Sequence, residues 1–192
     1  MDVDAVSKLG HGRRVSRNPL GQGAPDVAAL VRATADGDER AFGTLYDLYS
    51  RMVHAVLLAR APAREAEDLV QDVFLLALRR IGQLRDPDAF GPWLAQIARN
   101  RAADFHRRGK RLDPLVSDVP QEAAPSVEAR EALEAIRALP DTYRETLLMR
   151  LVEGMTGPEI AARTGMTPGS VRVHLHRGMK LLRERLGLKE PV

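Results

Sequence analysis

The chain has 192 residues, with 29 Lys and Arg against 26 Asp and Glu, a formal net charge of +3 and no cysteine. The absence of cysteine excludes disulfides, thiol catalysis and cysteine-ligated zinc, and is compatible with a reducing compartment. Apolar residues make up 44% of the chain but aromatics only 4%, so the core must be mostly Leu, Ala, Val and Ile, which suits helix packing better than a sandwich. The basic bias (pI near 9.6) is mild, so local clustering decides more than the total. No apolar run approaches the roughly 20 residues of a membrane span, and no apolar signal-peptide core opens the chain. The expectation is a cytoplasmic protein without membrane insertion.

Residues 1–25 carry glycines, Lys8, Arg13, Arg14 and Arg17 with little periodic hydrophobicity. Scattered basic residues without interleaved aromatics predict a mobile tail rather than a nucleic-acid-binding arm. From 26 to 111 the pattern is helical. Val27, Leu30 and Val31 start a short helix that Gly37 ends. Ala41, Leu45, Leu48, Met52, Val53, Val56 and Leu57 recur at three- and four-residue spacing and mark a long amphipathic helix, broken at Pro62. Leu69, Val70, Val73, Phe74, Leu76, Ala77 and Ile81 form the next apolar stripe. Asp86-Pro87-Asp88 is a turn signal, after which Trp93, Leu94, Ile97, Ala98, Ala102 and Phe105 mark another long helix.

Residues 112–127 hold Pro114, Pro120 and Pro125 among acidic and small residues and read as a flexible linker. A second helical block, 128–188, runs through Leu133, Ile136 and Leu139, breaks at Pro140, and resumes with Tyr143, Leu147, Leu148 and Leu151. Strand-like alternation is absent. The expected fold is all-α: two small helical domains on a flexible Pro-containing linker, the second ending in a helix-turn-helix.

Residues 157–177 carry that last inference. Ile160 and Ala161 face inward, and Ala161 is small enough for a second helix to cross close by. Gly165 sits where the first helix must end in a left-handed conformation, which glycine adopts without steric cost. Thr167 is a good N-cap, and Pro168 follows where a missing N–H costs nothing. Val171 and Leu175 face inward, leaving Ser170, Arg172, Val173, His176 and Arg177 on the surface. A basic helix presented by such a turn fits the major groove.

In the first domain, Glu65, Glu67, Asp68 and Asp72 crowd a helix start, where the dipole favours carboxylates. No histidine lies at ligand spacing beside them and no Gly-rich phosphate loop exists, so neither metal nor cofactor is expected. An acidic, amide-bearing helix suits a basic partner protein instead. The last helix of the domain ends in Arg99, Arg101, His106, Arg107, Arg108, Lys110 and Arg111, a charge pattern suited to phosphates, while the spacing of Trp93 and Phe105 makes them core residues.

The run Glu65-Ala66-Glu67-Asp68-Leu69-Val70-Gln71-Asp72-Val73-Phe74, then Phe90-Gly91-Pro92-Trp93-Leu94 through Ile97-Ala98-Arg99-Asn100-Arg101 with Arg107-Arg108 after it, resembles the core-binding and promoter-melting domain of extracytoplasmic-function sigma factors. Leu139-Pro140, Tyr143-Arg144-Glu145, Glu153-Gly154-Met155 and the helix-turn-helix resemble that family's second domain. The resemblance spans about residues 26–186. It implies a non-catalytic subunit of RNA polymerase that directs promoter-specific initiation. Asp68, Gln71, Asp72 and Phe74 would meet the clamp of the largest polymerase subunit, and the flap of the second largest would be a further partner. Arg85, Asp86, Asp88, Arg99, Asn100, Arg107 and Arg108 would meet the −10 element as an unpaired strand. Thr167, Pro168, Ser170, Arg172, Val173, His176 and Arg177 would meet the −35 element. The family also implies an anti-sigma factor as partner. Gly157-Pro158 and Arg172-Val173-His174 depart from the family's usual residues at those places and bear on the −35 preference rather than on the fold. The competing reading is a two-domain regulator that binds duplex operator DNA by itself.

Overall fold

The computed structural model describes residues 25–109 and 127–188, with side chains up to Arg107 in the first segment. The expected tail (1–25), apart from Pro25, and nearly all of the expected linker (112–127) lie outside the described residues. Among the described residues the structure is helical throughout, with eight α-helices and no strand.

The first four helices are α1 (Val27–Ala35), α2 (Glu39–Leu58), α3 (Ala63–Arg80) and α4 (Phe90–Gly109). The first two are capped by side chains. The Asp26 carboxylate accepts from the Ala29 amide at 3.0 Å, and Asp38 accepts from the amides of Arg40 and Ala41 at 2.8 and 3.1 Å, satisfying donors the helix leaves unpaired. Two short 3₁₀ turns, Ile81–Gln83 and Pro87–Ala89, join α3 to α4, and the Asp86 side chain accepts from the Asp88 amide. The turn signal at Asp86-Pro87-Asp88 is therefore a capped turn.

The core of this half is the expected aliphatic one. Leu45, Met52, Val53, Val56 and Leu57 of α2, Ala66 and Val73 of α3, and Leu94, Ala98 and Ala102 of α4 are fully buried. Each large aliphatic side chain removed from water contributes about 1.5–3 kcal/mol. Trp93 and Phe105 are partly buried against this core, as their spacing predicts.

The second half comprises α5 (Val127–Arg137), α6 (Asp141–Leu151), α7 (Gly157–Thr164) and α8 (Pro168–Arg185). Val127, the last residue of the expected linker, is already helical. Ile136, Leu147, Leu148, Met149, Ile160, Val171 and Leu182 are buried, and their cluster runs into that of the first half without a break. The two helical domains therefore pack directly on each other.

Candidate nucleic-acid interface

The helix-turn-helix is built as its sequence predicts. Gly165 ends α7 at φ +72°, and its amide donates to the Ala161 carbonyl at 3.0 Å. The Thr167 hydroxyl caps α8 by accepting from the Ser170 amide at 3.1 Å, with Pro168 in the first turn. Ile160 and Val171 are buried, and Leu175 is half-buried against the core. Thr156 and Glu159 add a reciprocal cap at the start of α7: the Thr156 amide donates to Glu159 Oε2 at 2.6 Å, and the Glu159 amide donates to Thr156 Oγ1 at 3.3 Å. That Thr-x-x-Glu signature is legible in the chain and escaped the sequence reading. It holds the Glu159 carboxyl below the usual range, with the Thr156 backbone hydrogen bond as the main cause.

What remains outward on α8 is one contiguous surface. Pro168, Ser170, Arg172, Val173, His176 and Arg177 are all exposed, as is Thr167 just before them. Val173 is 44% exposed, high for an apolar side chain. Ser170 and Thr167 share a hydroxyl hydrogen bond at 2.9 Å, which ties part of their donor capacity to the cap. Arg172 and Arg177 make no ion pair with any described residue.

The surface of the first domain is less uniform. Arg85, Asp86, Asp88, Asn100 and Arg107 are exposed. Asn100 Oδ1 accepts from the Gln96 amide at 3.0 Å, and Arg107 pairs with Asp104 one turn earlier. Asn100 and Arg107 join Leu76, Arg80, Ile97, Arg101 and Asp104 around a cavity of about 280 Å³ between α3 and α4. Arg108 lies on α4, and its side chain is outside the described residues.

On α3, Asp68 and Gln71 are exposed and share a face with Leu75 and Leu78, which are 53% and 41% exposed. Phe74 is not on that face. It is 2% exposed, with its ring 6.2 Å from Phe42 and 4.6 Å from Tyr46; its place in the apolar stripe decides its direction. Asp72 is half-exposed and held by Arg101, whose Nε donates to Oδ2 at 3.1 Å.

Comparison with known proteins assigns both halves. Residues 45–112 match Sigma-70 region 2, and residues 129–182 match Sigma-70, region 4. The chain is 35% identical over 163 residues to the RNA polymerase sigma factor CarQ of Myxococcus xanthus, covering 79% of this chain and 92% of CarQ. This sequence belongs to the extracytoplasmic-function sigma factors of the sigma-70 family. It is also 32% identical over 169 residues to the extracytoplasmic-function RNA polymerase sigma factor BldN of Streptomyces coelicolor, covering 80% of this chain and 63% of that longer relative. The solved structure of CnrH in complex with the cytosolic domain of CnrY superposes with a TM-score of 0.56 at 26% identity, covering 84% of this chain and 97% of that one. The protein is therefore a sigma factor, a polymerase subunit that directs promoter-specific transcription, and the stand-alone regulator is not favoured.

This sigma factor has one feature that no local pattern announced: an ionic seam between its domains. The Arg99 guanidinium donates from Nε to Glu145 Oε1 at 3.0 Å and from Nη2 to Oε2 at 2.8 Å, which raises its pKa further. Arg60 donates to the same Glu145 and, at 3.1 Å, to Asp141. His54 Nδ1 lies 2.6 Å from Glu153 Oε1. The end of α2 has no basic residue of its own in its last turn, and the second domain supplies the missing cations. Arg137 donates to the carbonyls of Leu58 and Ala61 at 2.9 and 2.6 Å, and Arg144 to that of Ala59 at 3.2 Å. Unpaired carbonyls at a helix C-terminus are thereby satisfied from across the seam. Arg163 of α7 donates to the Leu48 carbonyl at 2.9 Å and lies 5.2 Å from the Tyr49 ring centre. Burial raises the Tyr49 phenol pKa and the nearby Arg163 opposes that rise.

Proposed function

We propose that the two domains divide promoter recognition between them. Residues 26–111 would bind core polymerase and the −10 strand, and 128–188 the −35 duplex. The observation that carries this reading is the exposed face of α8, where Ser170, Arg172, Val173, His176 and Arg177 stand together behind a capped turn. Arg172 and Arg177 would contact phosphates or guanine edges, and Val173 a thymine methyl. Thr167 and Pro168 would bring the helix start close to the backbone.

On the first domain, Asp68 and Gln71 would meet the clamp of the largest subunit, with Leu75 and Leu78 adding the apolar part of that face. Asp72 would join them while paired to Arg101, and Phe74 would act from inside by fixing α3. Arg85, Asp86 and Asp88 of the turn region, with Arg99, Asn100, Arg107 and Arg108 of α4, would line the path of the unpaired −10 strand. Two tethered modules of modest affinity raise each other's effective concentration, so neither needs to bind tightly alone.

The protein would act in the cytoplasm as a non-catalytic subunit. No helix of the described residues is long and apolar enough to cross a membrane. An inhibitory protein partner is inferred from CnrH, whose solved structure holds the cytosolic domain of CnrY. Contact with the flap of the second-largest subunit is inferred for the second domain.

The test is transcription by purified core polymerase on a library of promoter fragments, with and without the protein. Template-specific transcripts that require the protein, with common sequences upstream at two spacings, are the expected result. Tight duplex binding with no transcripts would overturn the reading.

A further inference from the structure

Closure of the two domains engages Arg99, one of the charges that the −10 strand would need, and leaves those for the −35 duplex untouched. Glu145 is 12% exposed at the seam and is gripped through both oxygens by Arg99 and through one by Arg60. A carboxylate held by a guanidinium fork uses the same donors that a phosphate would use. On the other side of the second domain, Arg172, Val173, His176 and Arg177 stay exposed. The asymmetry follows from α6 and α7 facing the first domain while α8 carries the reading face outward.

We propose that Glu145 is an internal competitor for DNA phosphate at Arg99, so that the closed chain can engage duplex DNA through α8 while Arg99 is withheld from the −10 strand until the domains part. This rests on the reading of α4 as a strand-facing helix. The ion pairs of the seam suit a reversible latch. Arg99 exchanges one anion for another when DNA arrives, and the parted seam returns Glu145 and Arg60 to water, so no buried charge is left without a partner, which is the costly outcome for such groups. The apparent affinity for the strand is the intrinsic one reduced by the fraction of chains that are open.

The seam also supplies a way to open it without altering any charge. Gly91 at the start of α4 lies so close to α7 that a Cβ there would sit 2.1 Å from the Arg163 carbonyl oxygen and 3.1 Å from the Tyr49 ring. An alanine at this position forces α4 and α7 to shift apart. The carbonyl is backbone and has no rotamer through which to escape.

Two full-length variants test the proposal by separate routes. Glu145→Ala removes the competing anion; Gly91→Ala wedges the seam. Helical content by circular dichroism establishes that each is folded. Small-angle scattering reports the dimensions, and fluorescence anisotropy reports affinity for a short mixed-sequence single strand at low salt. Both variants are expected to expand and to bind the strand more tightly, by about tenfold where closure holds nine chains in ten. The Gly91→Ala gain matters most, since deleting any carboxylate raises affinity for DNA to some extent. Unchanged dimensions in both variants, or expansion without tighter strand binding, would overturn the proposal. Arg99→Ala in the Gly91→Ala background separates it from the reading beneath it. Loss of the gained affinity upholds Arg99 as a strand contact, and retention of the full gain overturns that assignment and the competition built on it.

Discussion

Gly178 of α8 lies against Leu147 of α6 so closely that a Cβ on the glycine would stand 3.0 Å from Leu147 Cδ1, with Cβ of Tyr143 at 3.1 Å. The crossing of these two helices sets the angle at which α8 leaves the domain, so the direction of its exposed face depends on a buried glycine outside that face. Gly178→Val should destabilise the protein by about 1–3 kcal/mol through overpacking, read as a lower urea midpoint with an unchanged slope. Gly178→Ala should cost less, because the gain in helix propensity of about 1 kcal/mol offsets part of the crowding. Equal or higher stability for the valine variant would show that α8 can shift without cost.

The reciprocal cap between Thr156 and Glu159 has a pH signature. The folded-state pKa of Glu159 is depressed, so the charged carboxylate contributes stability above its unfolded value, about 4.3. That contribution is lost as pH falls through the lower folded value. Thr156→Ala removes the hydroxyl cap and should cost about 1 kcal/mol. Glu159→Gln keeps a hydrogen-bonding group and drops the charge, so its urea midpoint should lie below that of the parent at neutral pH. The gap should close in acid. A gap that stays constant from neutral pH to below 4 would show that the charge contributes nothing.

The parts of this molecule that were legible in its sequence are those with local causes. Gly165, Thr167 and Pro168 announce the helix-turn-helix because a left-handed residue, an N-cap and a first-turn proline each act within a few positions of their own place. Helical stripes are legible for the same reason: of Leu69, Val70, Val73, Phe74, Leu76, Ala77 and Ile81, all are buried as the period requires except Leu76, which is half-buried. The resemblance put Phe74 among the polymerase contacts and the stripe put it in the core; packing against Phe42 and Tyr46 follows the stripe. The seam had no local signature. Arg99 and Glu145, or Arg163 and Leu48, meet only through the docking of one folded domain on another. Gly91 reads as an ordinary helix-start residue until that docking is known.

The two sides of α3 offer a contrast within one helix turn. Phe74→Ala should cost about 3–5 kcal/mol, the usual cost of emptying a buried aromatic site, and should reduce core-polymerase binding only as far as it unfolds the domain. Leu78→Asp, on the exposed face, should change stability by no more than about 0.5 kcal/mol while weakening binding to core by about tenfold or more, the size expected at a well-packed interface position. Thermal melts paired with anisotropy titrations of labelled protein against core polymerase separate the two effects. A Leu78→Asp variant that binds core as the parent does would remove the Asp68, Gln71, Leu75 and Leu78 face from the docking surface.

On α8, charge and shape should separate in the same way. Each arginine that neutralises a phosphate releases counterion on binding, so losing it lowers the slope of log affinity against log salt by about one unit. Arg172→Ala and Arg177→Ala are expected to do this on −35 duplex, with affinity falling on every sequence alike wherever the contact is to phosphate. If one of them is bidentate to guanine instead, that variant should lose about 1–3 kcal/mol on the preferred sequence and little on others. Val173→Ala carries no charge change. It should leave the slope untouched and relax preference at a single thymine, since an apolar side chain this exposed at the start of a recognition helix can read only a methyl group or a shape. A salt slope unchanged in both arginine variants, at unchanged affinity, would remove the outward face of α8 from the DNA interface.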